Sequence, residues 1–181
     1  SGGGTPINTT ATVSSNRYSL SNLDLSSLND GDLTITADVS DLAGNSATQA
    51  TASTTNDTTP PSIALSTDRQ SLNAGDIATL SFTLSESSSD FIQSDLAISG
   101  GSLSNWTALS SSLYTATFTP DADSTTDAVI FVANSAFSDS AGNTNQDDND
   151  TDNSLTLSID TTTKESSSPT IALRSDRQLL N

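Results

Sequence analysis

The chain has 181 residues, with 22 Asp and Glu against five Lys and Arg, a formal net charge of −17 at pH 7, 32% hydrophobic residues and 4% aromatics. That excess of acid excludes a phosphate backbone or an anionic membrane surface as partner. The absence of Cys and His excludes disulfides, Ser-His-Asp and Cys-His catalysis, and the usual zinc sites.

The chain opens on "SGGG", which reads as a linker or a cut end rather than a phosphate loop, because no Lys and no helix pattern follow. No long apolar run suggests a transmembrane helix, and no signal peptide begins the sequence. From Ser62 onward, short apolar runs alternate with clusters of Asn, Gly, Asp, Ser and Pro: "SIALS" at 62–66, "IATLSFTLS" at 77–85, "LAISG" at 96–100, "LYTATFT" at 113–119, "AVIFVA" at 128–133 and "SLTLSI" at 154–159. Each predicts a strand. In the second run Ala78, Leu80, Phe82 and Leu84 fall on one face and Thr79, Ser81, Thr83 and Ser85 on the other, the pattern of a half-buried antiparallel strand. About seven strands in about 100 residues predict an all-β, immunoglobulin-like antiparallel sandwich without the usual Cys pair. The aromatics Phe82, Trp106, Tyr114, Phe118, Phe131 and Phe137 are expected in its core, with Trp106 partly exposed.

Two phrases repeat. "PPSIALSTDRQSLN" at 60–73 returns as "SPTIALRSDRQLLN" at 168–181, so Ile63, Asp68, Arg69 and Asn73 recur as Ile171, Asp176, Arg177 and Asn181, about 108 positions on. That spacing predicts tandem modules. "VSDLAGNSA" at 39–47 matches "FSDSAGNTN" at 137–145 through a D-x-A-G-N turn, pairing Asp41 with Asp139, Gly44 with Gly142 and Asn45 with Asn143. The glycine predicts a positive φ in a tight loop between two late strands. Asp57 and Asp160 then occupy equivalent junctions.

With "YSLSNLDLSSLNDGDLTITADVSDLAGNSA", "DTTPP", "LSFTLSE", "YTATFTP" and "DSAGN" in hand, the chain resembles tandem bacterial Ig-like domains of the extender regions of giant secreted adhesins, the RTX and biofilm-associated type. The resemblance implies export to the cell surface, calcium-dependent stiffening and a spacer role in adhesion. It divides the chain into the last strands of one module at 1–57, a complete module at 58–160 and the first strand of a third at 161–181. The expected partners are neighbouring Ig-like modules of the same polypeptide, with no nucleic acid, no membrane insertion and no enzymatic activity. The ligand of a distal tip is not specified. The truncated ends read as cuts from a longer polypeptide, with donor-strand complementation as the alternative.

In such a sandwich the loop between the second and third strands and the loop before the last strand gather at one pole. That predicts a Ca2+ site from Asp57, Glu86 and Asp139, joined by Asn143 or Asp90, because clustered carboxylates repel unless a cation or protons intervene. Asp41 and Asp160 are the corresponding candidates at the other repeats. The facing poles would add Asp30 and Asp32 from "LNDGD", and Asp121 and Asp123, with Asp127, from "PDADSTTD". The acidic run "NQDDNDTDN" at 145–153 reads instead as a solvated loop, lacking EF-hand spacing. Two other functions stand beside the extender: a glycan-binding module using Trp106, and Ig-like decoration of a filament or phage surface.

Overall fold

In the computed structural model, residues 4–15, 17–147 and 151–163 are described. The predicted strand within 168–181 lies outside them. Ten strands occur among the described residues: β1 Gly31–Ala37, β2 Ala50–Asn56, β3 Ile63–Thr67, β4 Ser71–Asn73, β5 Ala78–Leu84, β6 Leu96–Ser99, β7 Gly101–Ser110, β8 Leu113–Pro120, β9 Ala128–Val132 and β10 Ser154–Asp160. All six predicted runs are strands. The sequence reading missed β4, which has three residues, and β7, whose alternation is broken by register shifts between Ser104 and Thr107 and between Ala108 and Ser110.

Strands β3 to β10 form two four-stranded sheets in the orders β3-β5-β8-β7 and β4-β10-β9-β6. All pairings are antiparallel except β10 with the short β4. From β3 to β10 the chain changes sheet at every connection except β7–β8 and β9–β10, which are hairpins within one sheet, the crossing pattern of a two-sheet immunoglobulin sandwich. Alternation in sequence becomes layering in space. Leu80, Phe82 and Phe118 of one sheet meet Ile130, Val132 and Leu157 of the other, all fully buried. Phe82, Phe91, Trp106 and Tyr114 form an aromatic group, with Phe91 reaching Phe137 at a ring separation of 5.1 Å. Phe131 departs from expectation: β9 alternates buried and exposed, and Phe131 occupies its outward face.

Residues 31–56 form a separate β1-β2 hairpin, which repeats the β9-β10 hairpin in form. Each carries the D-x-A-G-N turn, closed by an isolated bridge, Ser40 with Ser46 and Ser138 with Thr144. Gly44 and Gly142 adopt φ of 86° and 95°, which a Cβ would strain. Among the described residues the buried apolar core cluster lies within 63–159, whereas Val13, Tyr18, Leu20, Leu23 and Ile35 of the preceding segment are exposed.

Candidate functional site

Three chain segments converge beside the start of β3: the linker after β2, the β5–β6 loop and the β9–β10 loop. An isolated antiparallel bridge between Ser88 and Asp139 joins the two loops. Asp90 reinforces the joint by accepting hydrogen bonds from the Ser138 N–H (2.9 Å) and hydroxyl (2.6 Å) and from the Ser88 hydroxyl (2.7 Å). The Tyr114 hydroxyl donates to the Ser88 carbonyl at 3.2 Å, tying the loop to the aromatic group. Asp90 is therefore a structural fastener, and these contacts hold its carboxyl below its ordinary pKa, the Ser138 hydroxyl foremost.

At this joint, carboxylate oxygens of Asp57, Glu86 and Asp139 lie within 4.8 Å of one another. Asp57 and Glu86 are half-buried and Asp139 is buried. Two of these acids are prearranged by the backbone. One Asp139 oxygen accepts the N–H groups of Ala141, Gly142 and Asn143 at 2.7–2.9 Å, and the other accepts the Asn143 amide at 2.8 Å. Asn143 also donates to the Asp57 carbonyl at 3.2 Å, so one side chain positions two of the acids. Asp57 accepts the Thr59 N–H at 3.1 Å.

The electrostatics divide the three. Burial alone would raise the Asp139 pKa, but the hydrogen bonds from Asn143, Gly142 and Ala141 outweigh it and hold it low. Glu86 has no such donors among the described residues; burial, then the charges of Asp57, Asp139 and Asp30, push its pKa upward. Asp30 is thus felt at the site, although its oxygens are occupied by the Thr58 N–H (2.9 Å) and hydroxyl (2.8 Å) and the Thr59 hydroxyl (2.7 Å). The result is a concentration of negative charge with too few donors. A hard cation with oxygen preference fits that donor set.

The other predicted site residues are placed apart. Asp32 pairs across the hairpin with Thr55, exposed. Asp41 closes the far end of that hairpin by accepting Ala43 and Asn45 N–H groups and the Asn45 amide, as Asp139 does in its own turn. Asp160 accepts the Thr162 N–H and hydroxyl at the opposite pole, where Asp121, Asp123 and Asp127 are exposed in the β8–β9 loop. The run at 145–153 requires correction. Asn145 is fully buried, accepting the Ala136 and Phe137 N–H groups and donating to Ala133 and Asp147, and Asp147 is buried on the Ile63 N–H at 2.8 Å. These polar residues fasten the β9–β10 loop to β3. No repeat signalled them, since Ala47 stands in the hairpin where Asn145 stands here. Residues 148–150 of the run lie outside the described residues.

Trp106 is half-buried, its ring 5.3 Å from Phe82, 5.5 Å from Phe91 and stacked 5.6 Å from Tyr114. Its packing explains its presence without a ligand.

No curated protein matches the sequence. A family profile described as bacterial Ig-like domain matches residues 57–159, the same stretch that contains the sandwich and its three convergent acids. The chain belongs to the bacterial Ig-like domain family.

Proposed function

We propose that this chain is a segment of the structural extender of a large secreted or cell-surface bacterial adhesin, and that Ca2+ bound by Asp57, Glu86 and Asp139 stiffens the joint between successive modules. The convergence of those three carboxylates at a linker carries the reading: Asp57 belongs to the linker and the others to two loops of the following domain. A cation there would fix the linker to both loops, and Asp30 would fix it to the preceding hairpin through Thr58 and Thr59. Calcium is the favoured ion because it accepts six to eight oxygen ligands in a flexible geometry, whereas magnesium retains more water and tolerates less distortion. Pro60 and Pro61 already restrict the linker.

The distribution of charge supports an end-to-end role. Strands β3 to β9 contain no charged residue, and β10 has only its terminal Asp160, so the acids of the sandwich lie in its loops. Neighbouring poles of like charge repel unless cations join them. Stiff joints would then produce a rod that projects a distal binding region for adhesion or biofilm formation, with neighbouring modules as its immediate partners.

Small-angle scattering of a polypeptide spanning two complete modules tests the proposal. Chelation is expected to shorten the maximum dimension and broaden the distribution of distances, and Glu86→Gln should reproduce the change in calcium. Identical scattering with calcium and with chelator would refute the stiffened joint.

A further inference from the structure

Tension applied along the chain enters the sandwich at the start of β3 and leaves it at the end of β10. Among the described residues, backbone bonds join these ends through the three residue pairs of the parallel β4–β10 strip, the Leu65 N–H to the Asp152 carbonyl and the Ser158 N–H to the Gln70 carbonyl. That strip is short, and the entering segment is gripped before it. Pro61 is fully buried, and its carbonyl accepts the Gln146 N–H at 3.0 Å. Ser62 exchanges two bonds with Ser85, just past β5: its N–H donates to the Ser85 hydroxyl at 2.9 Å, and its carbonyl accepts the Ser85 N–H at 3.0 Å. The Ile63 N–H donates to the Asp147 carboxylate at 2.8 Å. Every polar backbone group from the Pro61 carbonyl to the Ile63 N–H is thus held, by the β5–β6 loop on one side and the β9–β10 loop on the other.

Asp147 is itself rooted in the second sheet. Its other carboxylate oxygen accepts the Asn145 amide at 3.1 Å, and its N–H donates to the Asn134 side chain at 3.1 Å. Asn145 in turn donates to the Ala133 carbonyl and accepts the Ala136 and Phe137 N–H groups, which fixes it to the exit of β9. We infer that Asp147, braced by Asn145, is a latch that bears tension entering the domain through the linker at Pro61. Bonds loaded side by side share a pull and break together, whereas a strand end held by one bond peels away. Each of these bonds lies at the first point the load reaches, so the latch delays the release of β3 from β5. The use of such strength rests on the extender reading, because a spacer transmits force, but the latch itself needs no cation. Ala47 and Gln49 stand at the corresponding positions of the preceding hairpin, so the latch belongs to this module.

Single-molecule pulling of the whole chain in chelator, at constant force and in two geometries, tests the latch. In the first geometry the handles are on the two termini, so the load passes through Pro61. In the second, one handle is on Ala74→Cys, an exposed position in a chain without cysteine, and the other on the C-terminus, so β3 is outside the load path. Forced unfolding reads the unfolding rate. Asp147→Ala is expected to speed it about tenfold when the termini are pulled and less than about threefold from Ala74→Cys. Ser85→Ala removes the acceptor of the Ser62 N–H from an exposed side chain, and should show the same bias toward the terminal geometry more weakly; it carries the test if Asp147→Ala does not fold. Equal acceleration in both geometries would overturn the inference and make Asp147 a stabilising residue only. Terminal pulling that neither variant changes would overturn it as well. Because calcium is absent throughout, a failed latch leaves the calcium joint standing, and a failed calcium joint leaves the latch standing.

Discussion

At Asp139 one side chain has two tasks, because its oxygens cap the N–H groups of the D-x-A-G-N turn and also face Asp57 and Glu86. Asp139→Ala removes the acceptor of three part-buried N–H groups, so a loss of about 0.5–1.5 kcal/mol is expected even in chelator. Glu86 is the cleaner probe. Its raised carboxyl binds a proton more tightly folded than unfolded, so stability falls as pH rises from its ordinary pKa through its folded one, and is recovered as pH falls back. Asp139 is held low, so its contribution is present above the ordinary carboxylate range and lost as pH falls through its folded pKa. Calorimetry in chelator is therefore expected to find greater stability in mild acid than at neutrality, and Glu86→Gln to reduce that difference while raising stability at neutral pH. A variant less stable than the parent at neutral pH in chelator would contradict the charge repulsion.

The elements hold together through facing layers, and their weak points can be named. Phe82 is fully buried on β5 and touches the rings of Phe91 and Trp106. Phe82→Ala is expected to cost about 3–5 kcal/mol in denaturant unfolding, a large share of the total stability of an ordinary domain. Gly101 begins β7, where a methyl group would overlap the Phe118 ring and the Thr119 carbonyl. Gly101→Ala is expected to destabilise by about 1–3 kcal/mol, since a backbone atom cannot rotate away as a side-chain tip can. The urea midpoint checks both, and unchanged m-values would show that the unfolding transition kept its character.

For the whole molecule the governing fact is the concentration of acid in the loops, around strands whose only charged residues are Asp32 and Asp160 among the described residues. Repulsion among the acids at the first joint is an unrelieved cost until a cation or protons arrive. If calcium binds only the folded chain, about 100-fold excess over its dissociation constant adds about 2.7 kcal/mol. The melting temperature is thus expected to rise with calcium, to rise less with magnesium, and to be nearly insensitive to calcium in Glu86→Gln. An equal rise in the variant would place the ion elsewhere.

The sequence by itself determined the sandwich. Period-two alternation in "ATLSFTLS" and "AVIFVA" can bury only one side of a strand, and D-x-A-G-N needs its glycine at positive φ, so local chemistry dictated where the chain runs straight and where it turns. It also placed Asp57, Glu86 and Asp139 together among its candidate ligands, because once strands two, three and the last are counted, the loops at one pole follow. Only the tertiary structure separated those three from Asp41, Asp121, Asp123 and Asp160, which sit at other ends of their elements, and from Asp32, which is exposed on β1 opposite Thr55. It alone showed Asn145 and Asp147 buried and Phe131 turned outward. The physical reason is range: alternation and turn propensity act over a few residues, whereas the meeting of carboxylates from positions 57, 86 and 139, and the Asp147 bond to the Ile63 N–H across 84 positions, exist only when distant segments are packed together.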